Sequence, residues 1–165
     1  MWRTYLGGAT LDAISGNTAP ADSHFPEDWI LSATRAVNAG RESVEEGVSR
    51  VVTESGELLL TELVDRFPEE IVGAAHLAKF GKRTGFLLKY LDSSIRLHLQ
   101  CHPSIPFARK YLHSECGKSE GYYILGVRPG CEGYIYLGFQ NPPSPEEFRR
   151  MIAEQDIAAL LACFE

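Results

Sequence analysis

Nothing in this chain of 165 residues approaches the roughly 18 consecutive apolar residues that a membrane-spanning helix needs. Positive charge is in deficit too, with 16 Lys+Arg against 22 Asp+Glu and a formal net charge of -6. That balance excludes a broad nucleic-acid surface, because phosphates call for a surplus of Lys and Arg. It leaves room for a local basic pocket that takes a small phosphorylated ligand. Cysteine is sparse: Cys101, Cys116, Cys131 and Cys163 contain no Cys-x-x-Cys pair and read as reduced thiols of a cytoplasmic protein. The opening stretch from Met1 to Gly8 is broken by glycines before any secretory signal core forms. Repeats and low-complexity segments are missing. What remains is ordinary globular composition, 44% hydrophobic, of a length that suits one domain over 1–165.

Punctuation divides the chain into opening strands and helices over 1–85, a strand region over 86–140 and a helical segment over 141–165. Residues 5–26, rich in Gly, Ala, Ser, Asn, Asp and Pro, read as an irregular loop. Residues 27–34 read as a strand with Trp29 and Leu31 on one face. Apolar spacing at Leu60, Leu63, Val64 and Phe67 predicts a helix that Pro68 interrupts, followed by a second short helix toward His76. Later, Ser144-Pro145-Glu146-Glu147 carries a capping residue, a proline at the first helical position and a capping-box glutamate. Helices are therefore expected around 60–76 and 145–162. Gly121–Val127 and Tyr134–Phe139 read as a hairpin across the turn from Arg128 to Gly133.

The strongest β signal runs from Phe86 to Pro103. In its second half Ile95, Leu97, Leu99 and Cys101 share one face, while Arg96, His98, Gln100 and His102 share the other. Gln100 and His102 thus project together, and Glu120 stands just before the next strand. An amide carbonyl, an imidazole and a carboxylate are all donors to a divalent metal such as zinc. On spacing alone, a hydrogen-bonding polar strand face is the better reading of the same residues. His113-x-x-Cys116 has no second pair to complete a zinc site, and the tyrosines at 122, 123, 134 and 136 read as strand formers.

These segments resemble a known family. Lys89-Tyr90-Leu91-Asp92, followed by Gln100-Cys101-His102-Pro103, is similar to the Lys-x-Leu-Asp and Gln-x-His-Pro segments of type I mannose-6-phosphate isomerases. Gly117-Lys118-Ser119-Glu120 resembles that family's Gly-Lys-Thr/Ser-Glu segment. Upstream, Leu6-Gly7-Gly8 resembles its Trp-Gly-Gly opening, with Leu for Trp, and Glu27-x-Trp29-x-x-Ser32 resembles its next block. The resemblance implies an α+β, mainly β protein built on a cupin jelly-roll barrel, apparently incomplete here. It further implies a zinc-dependent cytoplasmic enzyme that interconverts mannose 6-phosphate and fructose 6-phosphate by proton transfer through an enediol.

Carried over by position, Gln100, His102 and Glu120 match three of the family's four zinc ligands, and the fourth, a later histidine, has no counterpart. The chain is accordingly expected to be the N-terminal part of such an enzyme, to bind zinc weakly and to turn over little alone. Lys118 and Lys89 are the candidate acid–base residues, and Arg96 and His98 the candidate pocket residues. The sugar phosphate is the expected partner, with self-association through open strand edges as a further expectation. The rival from another class is a non-catalytic cupin module that binds a sugar or a metal.

Overall fold

A computed structural model describes residues 1–164, and within it the chain forms two compact units, Met1–Lys118 and Ser119–Glu165. It is a mixed α/β protein with two small antiparallel sheets, and the described residues close no barrel. The mix of helices and strands agrees with the expected α+β class, and these strands do not by themselves bear out the jelly-roll.

In the first unit, β1 (Glu27–Leu31) pairs antiparallel with β4 (Leu88–Leu91), setting Trp29 opposite Lys89. The alternation expected around Trp29 and Leu31 holds, since both are half-buried while Asp28 and Ile30 are exposed. A hairpin not expected from the sequence joins β2 (Arg50–Thr53) to β3 (Gly56–Leu59). Its signal was present: a β-branched run, then Glu54-Ser55-Gly56, where Gly56 takes a φ of +123° that other residues rarely adopt.

Three short helices follow: α2 (Leu60–Arg66), α3 (Pro68–Val72) and α4 (Ala74–Phe80). As expected, Pro68 starts a new helix, having no N–H to continue the old one. Leu60 and Val64 form the buried stripe of α2.

Two further helices replace expected irregular or β structure. α1 (Ala9–Ile14) lies inside the expected loop. Its first turn is satisfied from far away: Ala9 N–H donates to Asp22 Oδ1 (3.1 Å) and Thr10 N–H to Asp92 Oδ2 (2.7 Å). Local composition could not reveal those acceptors. α5 (Ile105–Tyr111) lies within the expected strand region, with Pro106 in its first turn and Ser104 Oγ accepting from Phe107 N–H (3.4 Å).

The second unit contains α6 (Pro145–Glu154) and α7 (Ile157–Ala162). The expected capping box is present in both directions: Glu147 N–H donates to Ser144 Oγ (3.2 Å) and Ser144 N–H to Glu147 Oε2 (3.0 Å). Met151, Leu160 and Cys163 are buried, and Phe139 packs against Phe148 and Phe164. The expected hairpin at Gly121–Val127 and Tyr134–Phe139 is not formed. Its turn is, with Cys131 N–H donating to Arg128 O (3.1 Å), but neither arm is a strand. Two strands alone are marginal without a third strand or a helix to cover them. Leu137 is 95% exposed and Tyr123 87%.

Candidate functional site

The frame of the site is a close approach of three chain segments. A Cβ on Gly7 would lie 2.0 Å from Asp92 O, so no other residue fits without moving backbone. Gly8 N–H donates to Asp92 O (2.9 Å), Ser94 N–H to Leu6 O (3.0 Å) and Asp92 N–H to Pro26 O (2.9 Å). The Leu-Gly-Gly, Glu-x-Trp and Lys-x-Leu-Asp segments are thereby laced together.

Within this frame Glu27 is 4% exposed, and four side chains converge on its carboxylate. Oε1 accepts from Tyr5 Oη–H (2.6 Å) and Lys89 Nζ (3.0 Å). Oε2 accepts from Arg3 Nε (2.9 Å), Arg3 Nη2 (2.7 Å) and Trp29 Nε1 (2.8 Å). Burial on its own would raise the Glu27 pKa. Hydrogen bonds from Tyr5, Trp29 and Arg3 and the attraction of Lys89 outweigh it, holding the carboxyl well below its ordinary 4.5, at about 2.

Beyond Leu91 the chain leaves the ladder, and the continuous strand expected through Pro103 is not found. Extending β4 would require pairing past Glu27, where Pro26 has no N–H to donate. The expected alternation survives in part: Leu97 and Leu99 are half-buried, while Arg96, His98 and Gln100 are exposed. Ile95 and Cys101, expected on the packed face, are exposed. Arg96 folds back to donate to Leu97 O (3.1 Å). His98 stacks edge-on against Tyr5, centroids 6.3 Å apart, and so lies beside the Glu27 cluster.

α5 then turns the chain back on itself. Lys118 N–H donates to Pro103 O (3.0 Å), and Lys118 Nζ stands 3.4 Å from His102 Nε2. A Cβ on Gly117 would lie 2.6 Å from Pro103 O, so the glycine before Lys118 permits this contact. The His-Pro and Gly-Lys segments are therefore adjacent, with Lys118 opposite His102. Gln100 and His102 belong to the first unit and Glu120 to the second.

Among the described residues no three His, Cys, Asp or Glu side chains gather as a metal group. A set of one glutamine, one histidine and one glutamate is not of that kind, and its donors suit a first-row divalent ion. Lys118 Nζ stands on the approach to His102 Nε2. A metal on that nitrogen requires Lys118, an exposed and flexible side chain, to turn aside. Arg83 donates to the Cys116 thiol, and all four cysteines are free.

Sequence reading passed over Arg3, Tyr5 and Glu27 as site residues. The signal lay in strand alternation, which puts Glu27 on the same face as Trp29 and Leu31. A carboxylate on a packing face needs buried partners.

No family model and no solved structure matches the chain. Over 81 residues, 49% of this chain, it is 32% identical to a Bacillus subtilis (strain 168) protein named "Probable mannose-6-phosphate isomerase GmuF". The matched stretch is 25% of that protein's length. Among the described residues no helix is long and apolar enough to cross a membrane.

Proposed function

We propose that the chain carries part of a metal-dependent aldose–ketose isomerase acting on mannose 6-phosphate and fructose 6-phosphate. The observation that carries this reading is the juxtaposition of the His-Pro and Gly-Lys segments, with Lys118 Nζ 3.4 Å from His102 Nε2. The Bacillus subtilis relative supports the same class of activity. Since the match spans a quarter of that protein, its whole activity comes to this chain as a proposal.

In this reading Gln100 and His102 hold zinc, and when bound it stabilises negative charge developing on the sugar oxygens. Lys118 and Lys89 are the proton-handling residues. One lysine, as the neutral amine, takes the C2 proton and returns it to C1, while the other, as the ammonium, gives a proton to O1 and takes up the proton from O2. Arg96 and His98, both exposed, are the residues this reading assigns to hydrogen bonding with the sugar phosphate.

The test is prolonged incubation of the full chain with zinc and mannose 6-phosphate, followed by NMR, which detects even slow conversion. Fructose 6-phosphate should form only with zinc, and not with His102→Ala. No product from the wild-type chain contradicts the reading and favours a binding module without turnover.

A further inference from the structure

The basic turn at Lys82-Arg83, framed by Gly81 and Gly85, has no part in the candidate site, and it closes back on α4. His76, Lys79 and Phe80 share one face of that helix, at i, i+3 and i+4. His76 Nε2 donates to Arg83 O (2.5 Å), which ties the turn to the same face. Gly81 and Gly85, with φ of +67° and +75°, let the chain reverse there. Between helix and turn lies an open cleft of about 490 Å³, lined by His76, Lys79, Phe80, Arg83 and Gly85. Its size is that of a small-molecule site.

Charge gives the cleft its character. No Asp or Glu lines it. Exposed cations elsewhere in this acidic chain stand on carboxylates, as Arg35 does on Glu45, Lys82 on Asp65 and Arg109 on Glu115. Lys79 and Arg83 do not. The Lys79 ammonium lies over the Phe80 ring at 5.0 Å, and the Arg83 guanidinium donates to the Cys116 thiol. Among the described residues neither has an acidic partner. Two cations without a carboxylate therefore line one cleft, and their repulsion is relieved when an anion enters between them. Phe80, 55% exposed, adds an apolar wall beside them.

We propose that this cleft is a second ligand site, which takes the phosphate group of free phosphate or of a small phosphate ester. Lys79 supplies a point charge and Arg83 a planar fork of donors suited to phosphate oxygens. His76 holds the turn against the helix, and the Phe80 ring receives the carbon portion of an ester. Through Arg83 the cleft adjoins Cys116, two residues before Lys118, without using any residue of the candidate metal site. The proposal stands independently of the isomerase reading.

The full chain, labelled with nitrogen-15, is titrated by NMR with inorganic phosphate and with glycerol 3-phosphate, chloride being adjusted to hold ionic strength constant. Amide resonances from Lys79 to Gly85 should shift and saturate with both probes. Tighter binding of the ester assigns the cleft to phosphate esters, and equal binding assigns it to free phosphate. Lys79→Ala and Arg83→Gln should each weaken binding about tenfold, the scale of one charge-assisted bond. Both side chains are exposed, so the variants should keep the wild-type circular dichroism. Arg83→Lys, which keeps the charge and loses the fork, should recover part of the loss. Lys82→Ala, whose lysine is paired with Asp65 outside the cleft, should change binding less than about twofold. His102→Ala should leave it unchanged.

The proposal is overturned if neither probe saturates, or if Lys79→Ala or Arg83→Gln binds as the wild type does. It is equally overturned if Lys82→Ala or His102→Ala weakens binding as much as Arg83→Gln, the first showing diffuse surface charge and the second the candidate metal site.

Discussion

The two units of the chain reach order by different routes. In Met1–Lys118, segments far apart in sequence are fastened by backbone bonds, glycine contacts and one buried carboxylate. In Ser119–Glu165, order is concentrated in two helices whose ends are capped by their own neighbours, Ser144 and Asp156. The strand-like runs before those helices stay outside any ladder. Helix ends are satisfied locally, whereas a strand must find its partner elsewhere in the chain.

Removing the Glu27 carboxylate should break this contrast most severely. Glu27→Ala leaves Arg3 and Lys89 without their shared counter-charge and should cost the first unit about 3 kcal/mol. Both tryptophans, Trp2 and Trp29, lie in that unit, so fluorescence during urea unfolding reads it selectively.

Acid should act through the same group with a smaller, graded effect. The folded carboxyl titrates at about 2 against an ordinary 4.5. Its contribution is therefore complete above 4.5 and is lost as pH falls through about 2. The tryptophan-detected transition should weaken across that window, and Glu27→Gln should flatten the slope. An unchanged slope would remove Glu27 from the account.

The smallest change belongs to the second unit. Ser144→Ala removes the α6 cap and should cost about 1 kcal/mol. It should lower far-ultraviolet ellipticity on heating, with tryptophan fluorescence unaffected. A matching shift in the tryptophan signal would show that the capping effect does not stay in the second unit.

How much was legible in the sequence follows the same division. Ser144-Pro145-Glu146-Glu147 announced α6 because every partner of the cap lies within four residues. Ser104-Ile105-Pro106 uses the same grammar for α5. It was masked by the apolar–polar alternation just before it, which promised a longer strand. The alternation at 95–102 marked partial burial without marking pairing, since it cannot announce that Pro26 ends the neighbouring strand's donors. α1 was illegible because its first-turn acceptors, Asp22 and Asp92, lie 13 and 82 residues away.

At the candidate site, His102 and Lys118 were each named from their motifs, and their contact at 3.4 Å is read from the structure alone. The motifs gave no sign that Glu27 gathers Arg3, Tyr5, Trp29 and Lys89, because that cluster depends on which β1 residues face inward. Gly7 and Gly117 were recognisable as parts of motifs. Their physical reason, backbone oxygens where a Cβ would sit, appears only when the segments meet.

The central claim is that the His-Pro and Gly-Lys segments form one metal-assisted edge, and zinc affinity tests it most directly. Competition with a chromophoric chelator should give one zinc per wild-type chain. Gln100→Ala and His102→Ala should each weaken it at least about tenfold, no less than loss of an outer partner does. Zinc binding that is absent, or unchanged by both substitutions, would contradict the account.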